Sequence, residues 1–459
     1  LNGGEYTDKS GEQKGEKIEW TVNLNYGQSS VSDVVLTDTP SSNQILLEDS
    51  FKVYGTNVAE NGQVSVDVEQ QLKAGEDYTL TINTDDNTGE QSFQLKFSSP
   101  ISKPYVLKYE SYINAVNGDT VSNSTQLDGK EITSQSTSSG ESIKVRLTGG
   151  SGSGSGEKGS LEVVKTDSLT DEKLAGATFT LYDSQGEIAI KSATTDESGK
   201  VIFNNLLYKD YLLKEDNAPV GYNVGIDDTN KVTVNQESNT VTIKNDIITG
   251  SVKLTKLDSV DSSERLEGAV YSIKDSSDNV VKTNVTTNSN GEVVVNNLRP
   301  GNYTFVETKA PFGYVLDTTP IEFAIAFNNS ERVNVEAKNT LQTFNAELTK
   351  KDVDSGEVIP GAIFELQDEN GNSLLKGLMT QQTGQIVVED LKPGNYQFVE
   401  TQPAFGYELN STPIPFTIEK GQDGVTKVVA TNKLTPGAVE LVKVDSEDAT
   451  LYLENAVFE

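Results

Sequence analysis

The segment from Phe305 to Tyr314 reads F-V-E-T-K-A-P-F-G-Y, and it recurs at Phe398 to Tyr407 as F-V-E-T-Q-P-A-F-G-Y. A more divergent copy, L-K-E-D-N-A-P-V-G-Y, runs from Leu213 to Tyr222. Each copy places one Glu between apolar or aromatic neighbours on a strand-like run, just before a turn rich in Pro and Gly. Burying a carboxylate there is unfavourable unless the group is paired or protonated. The three glutamates that need such partners are Glu215, Glu307 and Glu400.

The composition restricts the chemistry open to this chain of 459 residues. It has no Cys, which excludes disulfides, thiolate metal sites and cysteine nucleophiles, and no His, which removes the commonest general base. The formal net charge of −32 argues against a nucleic-acid partner, because a phosphate backbone needs a basic surface. Asp85 and Asp86 form an acidic pair, but the sequence has no spaced calcium loop of the EF-hand type. We therefore expect no metal and no cofactor.

The two ends of the chain suggest that it is an internal fragment. The sequence starts at Leu1 rather than at Met, and it stops at Glu459 shortly after a new repeat begins. It contains no run apolar enough to span a membrane and no signal peptide. On this interpretation, signals for secretion and anchoring lie outside the fragment.

The first region, residues 1–148, reads as a two-layer β-sandwich. Apolar and polar residues alternate with a period of two in Ile18–Leu24 and in Tyr78–Ile82, and turns bearing Gly and Asn separate such runs. Two packed sheets are the natural way to bury strands that are apolar on one face. Residues 149–159 include the run G-G-S-G-S-G-S-G from Gly149 to Gly156, which predicts a flexible linker.

Beyond the linker the chain repeats itself. A Lys at the end of an apolar strand recurs after 91, 94 and 93 residues, and an Asp follows each Lys two positions later. Because this period exceeds that of solenoid repeats, it indicates whole domains in tandem, as beads on a string. The four lysines are Lys165, Lys256, Lys350 and Lys443. The predicted units are repeat 1 (160–248), repeat 2 (249–342), repeat 3 (343–434) and the incomplete start of a fourth repeat, the tail (435–459).

The order of strand patterns is constant within the repeats. An alternating strand pattern opens with Gly-Ala at Gly176, Gly268 and Gly361, and each repeat closes on a strand that ends in Asn. The tail contains the pattern of only the first two strands. Two strands cannot bury a core, so we expect the tail to be poorly stable by itself, and Lys443 has no partner within this chain.

Lys, Glu and Asn thus recur at fixed spacing in three complete repeats. The Glu follows the Lys by 50 or 51 residues, and the Asn follows the Glu by 30 or 32 residues. A single Lys on a strand is usually a solvated charge, and a single Asn at a strand end usually marks a turn. Three triplets in register, across repeats whose loops differ in length, indicate a shared chemical role.

These repeats resemble the B-type repeats of Gram-positive collagen adhesins and pilins, which are prealbumin-like β-sandwiches that hold an internal Lys–Asn isopeptide bond. The resemblance covers residues 160–434 and the tail, and Leu213-Lys214 departs from the Phe-Val of the other copies. The cross-links that it implies are Lys165–Asn245, Lys256–Asn339 and Lys350–Asn432, assisted by Glu215, Glu307 and Glu400 respectively.

Elementary chemistry is compatible with this implication. Burial lowers the pKa of a Lys, so that its amine can be unprotonated and nucleophilic. The same burial raises the pKa of a Glu, and a protonated Glu can hydrogen-bond the Asn carbonyl, polarise it and shuttle protons as ammonia leaves. Folding makes the reaction intramolecular. Because each bond forms only once, we expect self-modification and no enzymatic turnover.

Residues 1–148 resemble the immunoglobulin-like adhesin domains of the same surface proteins, in which a Lys and an Asn are joined and an Asp assists. The resemblance rests on Lys9-Ser10-Gly11 before the Trp20 strand, on V-V-L-T-D-T-P ending at Pro40, and on Val121-Ser122-Asn123. By position it implies a Lys9–Asn123 cross-link with Asp38 assisting.

Two alternatives remain open for this region. Lys14 and Lys17 lie close to Lys9 in the sequence and compete with it as the amine donor. Asp38 alternatively caps a strand-ending turn before Pro40.

The resemblance implies a fragment of a bacterial cell-surface adhesin or stalk, extracellular and anchored to the peptidoglycan through sequence outside this chain. It also implies a host matrix partner such as collagen or fibrinogen, although no residue here identifies one. A pilus shaft subunit and a purely structural spacer are alternatives, but the chain shows neither a pilin-motif Lys nor an L-P-x-T-G sorting signal. A glycosidase with paired carboxylates has no support beyond the abundance of Asp and Glu.

Overall fold

The computed structural model describes residues 6–132, 138–147, 156–225 and 229–459. The described residues form 32 strands and one short 3-10 helix, Glu48–Ser50, which confirms the prediction of an all-β protein of tandem sandwiches. Most of the predicted linker lies outside the described residues. The chain divides into two compact units, Leu1–Ile248 and Thr249–Glu459.

The N-terminal domain packs a six-stranded sheet on a five-stranded sheet. Its strands are β1 (Thr7–Lys14), β2 (Lys17–Leu24), β3 (Ser32–Pro40), β4 (Gln44–Leu46), β5 (Lys52–Val58), β6 (Val64–Gln71), β7 (Tyr78–Thr84), β8 (Gln91–Phe97), β9 (Tyr105–Ile113), β10 (Thr120–Lys130) and β11 (Ser138–Lys144). The orders are β1-β2-β9-β5-β6, with β4 on β9, and β11-β10-β3-β8-β7. The alternation in β2 buries Ile18, Trp20, Val22 and Leu24 between the two sheets.

Each repeat packs a three-stranded sheet on a four-stranded sheet. Repeat 1 contains β12 (Lys158–Asp167), β13 (Thr178–Tyr182), β14 (Ala189–Thr194), β15 (Lys200–Leu207), β16 (Lys209–Asn217), β17 (Thr229–Val234) and β18 (Ser238–Asn245). Repeat 2 contains β19 (Gly250–Asp258), β20 (Val270–Asp275), β21 (Val280–Thr286), β22 (Glu292–Leu298), β23 (Gly301–Lys309), β24 (Ile321–Ile325) and β25 (Arg332–Asn339). Repeat 3 contains β26 (Phe344–Asp352), β27 (Ile363–Asp368), β28 (Ser373–Met379), β29 (Gln385–Leu391), β30 (Gly394–Gln402), β31 (Ile414–Ile418) and β32 (Thr426–Asn432). The sheet orders in repeat 1 are β15-β12-β18 and β14-β13-β16-β17, and the other repeats copy them.

The first strand of each repeat is the centre of the three-stranded sheet and runs parallel to the last strand. In repeat 1, Lys165 pairs with Ile243 and Asp167 pairs with Asn245. The same offset holds in repeats 2 and 3. Because side chains two residues apart on a strand share a face, the Lys and the Asn point to the same side of this sheet. That side faces the four-stranded sheet, whose third strand carries the Glu.

The Gly-Ala strands begin two residues later than the sequence pattern predicted. They start at Thr178, Val270 and Ile363, directly after the Gly-Ala pairs. The glycines at these corners have φ values of +89°, +85° and +84° in repeats 1, 2 and 3. An extended strand cannot include a residue in that left-handed region, which favours Gly.

The tail carries the sequence pattern of two strands but forms neither of them. Its pairing is a single bridge between Val444 and Tyr452, and Val439, at the start of the predicted first strand, is 95% exposed. The reason is the position of the first strand in a complete repeat. That strand is held by neighbours on both sides, and the tail contains neither of them.

The N-terminal domain and repeat 1 share an apolar core. Ile45, Leu47 and Tyr112 of the N-terminal domain belong to the same buried cluster as the interior of repeat 1. The fully buried amide of Asn114 donates to the carbonyl of Asn205 at 2.5 Å and accepts from the backbone N–H of Leu207 at 3.3 Å.

A half-buried cation reinforces this contact. The Lys209 ammonium donates to the hydroxyl of Tyr112 and lies 4.9 Å from the ring centroid of Tyr112 and 5.4 Å from that of Tyr211. The contact with Tyr112 is the hydrogen bond to its hydroxyl, whereas the distance to the Tyr211 ring lies within the cation–π range. The first unit is therefore one packed body rather than two independent beads.

We predict that Asn114→Ala lowers the free energy of unfolding of the first unit by about 1–3 kcal/mol, because it removes the partner of the buried Leu207 N–H and of the partly buried Asn205 carbonyl. The control is Asn87→Ala, at an exposed turn of the same domain. Chemical denaturation of the full chain, followed by the fluorescence of Trp20, measures both. Equal midpoints for the two variants would show that Asn114 does not hold the interface.

Candidate functional site

Repeat 2 brings its three predicted residues into contact in its interior. Lys256 on β19, Glu307 on β23 and Asn339 on β25 are all buried. The Lys256 Nζ lies 3.1 Å from Oε1 of Glu307, and the Asn339 Nδ2 donates to Oε2 of the same carboxylate at 2.9 Å. One carboxylate therefore touches both the amine and the amide nitrogen.

Repeat 3 reproduces this arrangement. The Lys350 Nζ lies 3.2 Å from Oε1 of Glu400, and the Asn432 Nδ2 donates to Oε1 at 3.2 Å and to Oε2 at 3.0 Å. The backbone N–H of Asn410 also donates to Oε2 at 2.9 Å, and the Glu408 carbonyl accepts from the Asn432 amide at 2.5 Å. The loop that follows the repeated motif thus helps to orient both groups.

Repeat 1 brings the same residue types together with a different pattern of contacts. The Lys165 Nζ donates to Oδ1 of Asn245 at 2.5 Å and lies 3.6 Å from Oε1 of Glu215. The Asn245 Nδ2 donates to that carboxylate at 2.9 Å. The amine here contacts the carbonyl oxygen of the group that it would attack.

Burial lowers the pKa of the lysine in every repeat. For Lys165 the pKa falls to about 8 because desolvation outweighs the attraction of Glu215. Desolvation also lowers the pKa values of Lys256 and Lys350, against the opposing effect of their glutamates. A larger share of each amine is therefore neutral near physiological pH than for an exposed lysine.

The contact between Glu and Asn differs from the sequence-based expectation. We expected the acid to hydrogen-bond the Asn carbonyl, but in all three repeats the carboxylate accepts from the amide nitrogen instead. The carbonyl oxygens of Asn339 and Asn432 are buried without a hydrogen-bond partner among the described residues. The Glu is thus placed beside the nitrogen that would leave.

The N-terminal domain gathers its residues around a tyrosine that the sequence analysis did not identify. The Lys9 Nζ donates to a carboxylate oxygen of Asp38 and, at 2.5 Å, to the hydroxyl of Tyr109. The Asn123 Nδ2 donates to the same hydroxyl at 2.7 Å, and the hydroxyl donates to Asp38 Oδ2 at 3.0 Å. All four side chains are buried.

The geometry decides which lysine lies at this site and whether Asp38 caps a turn. Lys9 is buried, whereas Lys14 pairs with Glu12 on the surface and Lys17 pairs with Glu110 in a half-exposed position. Burial lowers the pKa of Lys9 to about 8 and raises the pKa of Asp38, although each attracts the other's charged form. Asp38 is placed to interact with this amine and not to cap a surface turn.

Two further contacts explain recurring residues to which the sequence analysis gave no role. The Asp that follows each Lys accepts two backbone N–H groups of the next turn, as Asp167 does from Leu169 at 2.8 Å and from Thr170 at 2.9 Å. The hydroxyl of Tyr222, which ends the repeated motif, donates to the other oxygen of Asp167 at 3.0 Å. The motifs K-x-D and G-Y recur together in each repeat, and this recurrence could have predicted the contact between the Asp and the Tyr.

Other kinds of site are not evident in the part of the chain that the structure describes. No group of three or more acidic side chains there is arranged to hold a metal ion. Within the same residues, no helix is long and apolar enough to cross a membrane.

Known protein families match most of the chain. Residues 159–247, 250–341 and 344–434 each match the SpaA family, described as a prealbumin-like fold domain, and together they cover more than half of the chain. Residues 4–138 match the collagen binding domain.

Individual relatives are more distant. The serine-aspartate repeat-containing protein D of Staphylococcus aureus (strain Newman) is 27% identical over 282 residues, which cover 52% of this chain and 21% of that protein. Colossin-A of Dictyostelium discoideum is 27% identical over 263 residues, or 50% of this chain and 2% of its own length. The chain therefore spans about a fifth or less of the curated relatives it matches. Among solved structures, the Bacillus anthracis TIE protein is similar with a TM-score of 0.41 and 21% identity, covering 94% of this chain and 74% of its own.

We predict a pH dependence for a repeat whose lysine stays free, as in Asn245→Ser. The pKa of Lys165 is about 8 in the folded state, below its ordinary value of 10.5. Between these values the unfolded chain binds more protons, so the free energy of unfolding should rise with pH across this window, by at most about 1.4 kcal/mol per pH unit. The control is the same variant with Lys165→Met. Thermal unfolding at several pH values measures the difference, and parallel curves for the two proteins would contradict the prediction.

Proposed function

The chain belongs to the family of SpaA prealbumin-like fold domains, and on that premise we propose that it is part of a bacterial cell-surface adhesin whose domains cross-link themselves through Lys–Asn isopeptide bonds. The repeats form a stalk, and the N-terminal domain carries the ligand-binding surface. One observation carries the proposal. In each repeat a buried amine, a carboxylate and a carboxamide meet between the first and the last strand.

The reaction replaces one amide by another. The neutral amine of Lys256 attacks Cγ of Asn339, a new C–N bond forms, and the bond from Cγ to Nδ2 breaks. Ammonia leaves, so atoms balance without an oxidant, a reductant or a cofactor. The three groups are already in place in the folded repeat, and such preorganisation removes much of the entropic barrier of a reaction between separate molecules.

Glu307 performs the proton transfers in this mechanism. Its Oε1 lies beside the Lys256 amine and its Oε2 accepts from Nδ2 of Asn339, so one carboxyl group can take a proton from the first nitrogen and deliver it to the second. Proton delivery turns Nδ2 into a better leaving group. The sequence suggested two roles for this Glu, polarisation of the carbonyl and proton transfer, and this mechanism uses only the second.

In the N-terminal domain the corresponding acid is Asp38. Its carboxylate contacts the Lys9 amine directly, and the Tyr109 hydroxyl connects it to Nδ2 of Asn123. A proton can move along this chain of hydrogen bonds from Lys9 to Asp38 and through Tyr109 to the leaving nitrogen. We therefore assign Lys9–Asn123 as the fourth cross-link.

The bonds strengthen the stalk by linking strands that already lie side by side. Lys165 and Asn245 are 80 residues apart in the chain. By the loop-closure relation used for disulfides, a cross-link over such a loop stabilises the repeat by roughly 4.5 kcal/mol. Because the linked strands are the first and the last, a pulling force passes through the amide and bypasses most of the domain.

A matrix ligand is the proposed partner of the N-terminal domain. The match of residues 4–138 to the collagen binding domain supports a host extracellular-matrix protein of the collagen or fibrinogen type. The protein then acts outside the cell, attached to the cell wall through segments beyond this chain, and it is not an enzyme. The alternatives are a pilus shaft subunit and an inert surface spacer. Binding to a matrix protein would distinguish the adhesin from both.

Intact-protein mass spectrometry tests the cross-links directly. The folded chain should be lighter than its sequence mass by one ammonia for each bond, four in total. Lys9→Ala, Lys165→Ala, Lys256→Ala and Lys350→Ala should each restore one ammonia, because each removes one nucleophile. A folded chain with the unmodified mass would refute the proposal.

The role of the acid is tested by Glu307→Ala. This variant should retain one additional ammonia and leave Lys256 and Asn339 unlinked, because neither proton transfer can occur. Glu292→Ala, at a half-exposed position in the same repeat, is the matched control and should keep the bond. Peptide mapping after proteolysis locates the linked pair. If the bond forms in Glu307→Ala at the same rate, another group moves the protons.

Matrix binding is best tested with residues 1–248, because the N-terminal domain shares a core with repeat 1. Surface plasmon resonance on immobilised collagen and fibrinogen should show saturable binding to this fragment. Residues 249–459, the second unit, serve as the control and should not bind. Equal responses from both fragments, or none from either, would favour the spacer.

A further inference from the structure

Repeat 2 differs from the other two repeats in one aromatic side chain at its cross-linking site. The strand after the Gly-Ala corner places this ring directly opposite the repeated Glu, and in repeat 2 Tyr271 on β20 pairs with Glu307 on β23. The corresponding residue is Phe179 in repeat 1 and Phe364 in repeat 3. All three rings are buried. Because directly paired residues on neighbouring strands share a face, each ring lies beside its Glu, but among the three repeats only repeat 2 has a hydroxyl there.

The hydroxyl of Tyr271 contacts the amine that acts as the nucleophile. The Lys256 Nζ donates to this hydroxyl at 2.7 Å, and both side chains are buried. The same nitrogen lies 3.1 Å from Oε1 of Glu307. Two oxygen atoms, carried by the neighbouring strands β20 and β23, therefore lie beside one amine.

Repeat 3 shows the same arrangement without the hydroxyl. The Lys350 Nζ lies 5.3 Å from the ring centroid of Phe364, and the Lys256 Nζ lies 5.4 Å from that of Tyr271. The amine thus keeps its distance from the ring in both repeats. The Lys350 Nζ lies 3.2 Å from Oε1 of Glu400, but the hydrocarbon ring on its other side offers no oxygen that could accept a hydrogen bond.

The hydroxyl of Tyr271 keeps its proton. Burial raises the pKa of Tyr271 above its ordinary value, and the negative charge of Glu307 raises this pKa further. A phenol that stays protonated is neutral, so it does not act as the base that removes the proton from Lys256. Its oxygen remains an acceptor for the N–H of the amine. The contact therefore orients the amine.

Orientation affects the rate because a neutral amine attacks through a single lone pair. Acceptors on both of its N–H bonds fix the direction of that lone pair, whereas one acceptor leaves the group free to rotate. Holding the reacting groups in one geometry removes part of the entropic barrier. In repeat 2 the second acceptor is Tyr271, and the first is the Glu307 carboxylate that also contacts the amide nitrogen of Asn339.

The N-terminal domain contains the same contact in a different architecture. There the Lys9 Nζ donates to the hydroxyl of Tyr109 at 2.5 Å and also to the carboxylate of Asp38. Tyr109 lies on β9 of an eleven-stranded sandwich, so its position is not the counterpart of Tyr271 in a repeat. In both sites one tyrosine hydroxyl and one carboxylate hold one buried amine.

We propose that Tyr271 is a further residue of the cross-linking reaction in repeat 2, where its hydroxyl orients the Lys256 amine for attack on Asn339. This inference rests on the proposed isopeptide bonds. The atom balance is unchanged, because Tyr271 gains and loses no atom, and the proton of the amine still passes to Glu307 and then to the departing Nδ2. Repeats 1 and 3 carry out the reaction without this hydroxyl. Tyr271 thus sets the rate at which the bond forms, and not whether it forms.

The rate of each bond can be measured separately in the full chain. The chain is recovered in denaturant before it has folded, and dilution starts folding and cross-linking. Samples are quenched in acid and digested, and mass spectrometry follows the linked peptide of each repeat with time. The variant is Tyr271→Phe. The matched control is Tyr303→Phe, which removes a tyrosine hydroxyl of the same repeat that donates to the Arg299 carbonyl at 2.8 Å.

Tyr271→Phe should slow the Lys256–Asn339 bond about tenfold, the factor that corresponds to one hydrogen bond of ordinary strength, and should leave the bonds of repeats 1 and 3 unchanged. Tyr303→Phe should change none of the three rates. Phe364→Tyr, which adds the hydroxyl to repeat 3, should accelerate the bond of that repeat, a gain that a loss of packing cannot produce.

Two negative results would have different meanings. If no repeat of the unaltered chain loses ammonia, the proposed isopeptide function fails, and the role of Tyr271 fails with it. If all three repeats link, and Tyr271→Phe forms its bond as fast as Tyr303→Phe, only the role of Tyr271 is overturned. An equal slowing of all three bonds by Tyr271→Phe would also overturn it, because the hydroxyl contacts one amine only.

Discussion

Each repeat depends on the parallel contact between its first and last strands. The first strand is central in its sheet, so the domain is complete only when the last residues of the repeat have folded against the first. That contact also buries the Lys, whose charge is unfavourable in an apolar interior unless an acid lies beside it. The Glu of the repeated motif therefore offsets the cost of burying the Lys, apart from the role proposed for it in cross-linking. The tail illustrates this dependence on neighbouring strands, because its first strand lacks both neighbours and does not form.

The two domain types solve one physical problem with different architectures. In the repeats, the amine and the amide lie on neighbouring strands of one sheet, and a single Glu from the opposing sheet reaches both. In the N-terminal domain, Lys9 and Asn123 lie on strands of different sheets, and Tyr109 completes the connection. The shorter Asp38 side chain contacts the amine, while the tyrosine hydroxyl extends the reach of the site. A buried, paired lysine is common to both.

Within each of the two compact units, neighbouring domains contact each other. Repeat 1 continues the core of the N-terminal domain, and its backbone is held by the Asn114 amide. Repeats 2 and 3 meet through two turns, in which Gly313 lies opposite the Lys420 side chain and Gly421 lies opposite the Phe312 ring.

The sequence by itself determined the fold class, the repeat order and the lysine, glutamate and asparagine of each triplet. It could do so because strand alternation is local, and because three copies in register expose residues that a single copy would hide. It did not identify Tyr109, which is 100 residues from Lys9 in the chain and has no second copy to compare. It also did not show whether the amide nitrogen or the carbonyl oxygen of the Asn side chain faces the Glu. These features depend on how two sheets pack face to face, and only the tertiary structure decides them, because such packing leaves no periodic signal along the chain.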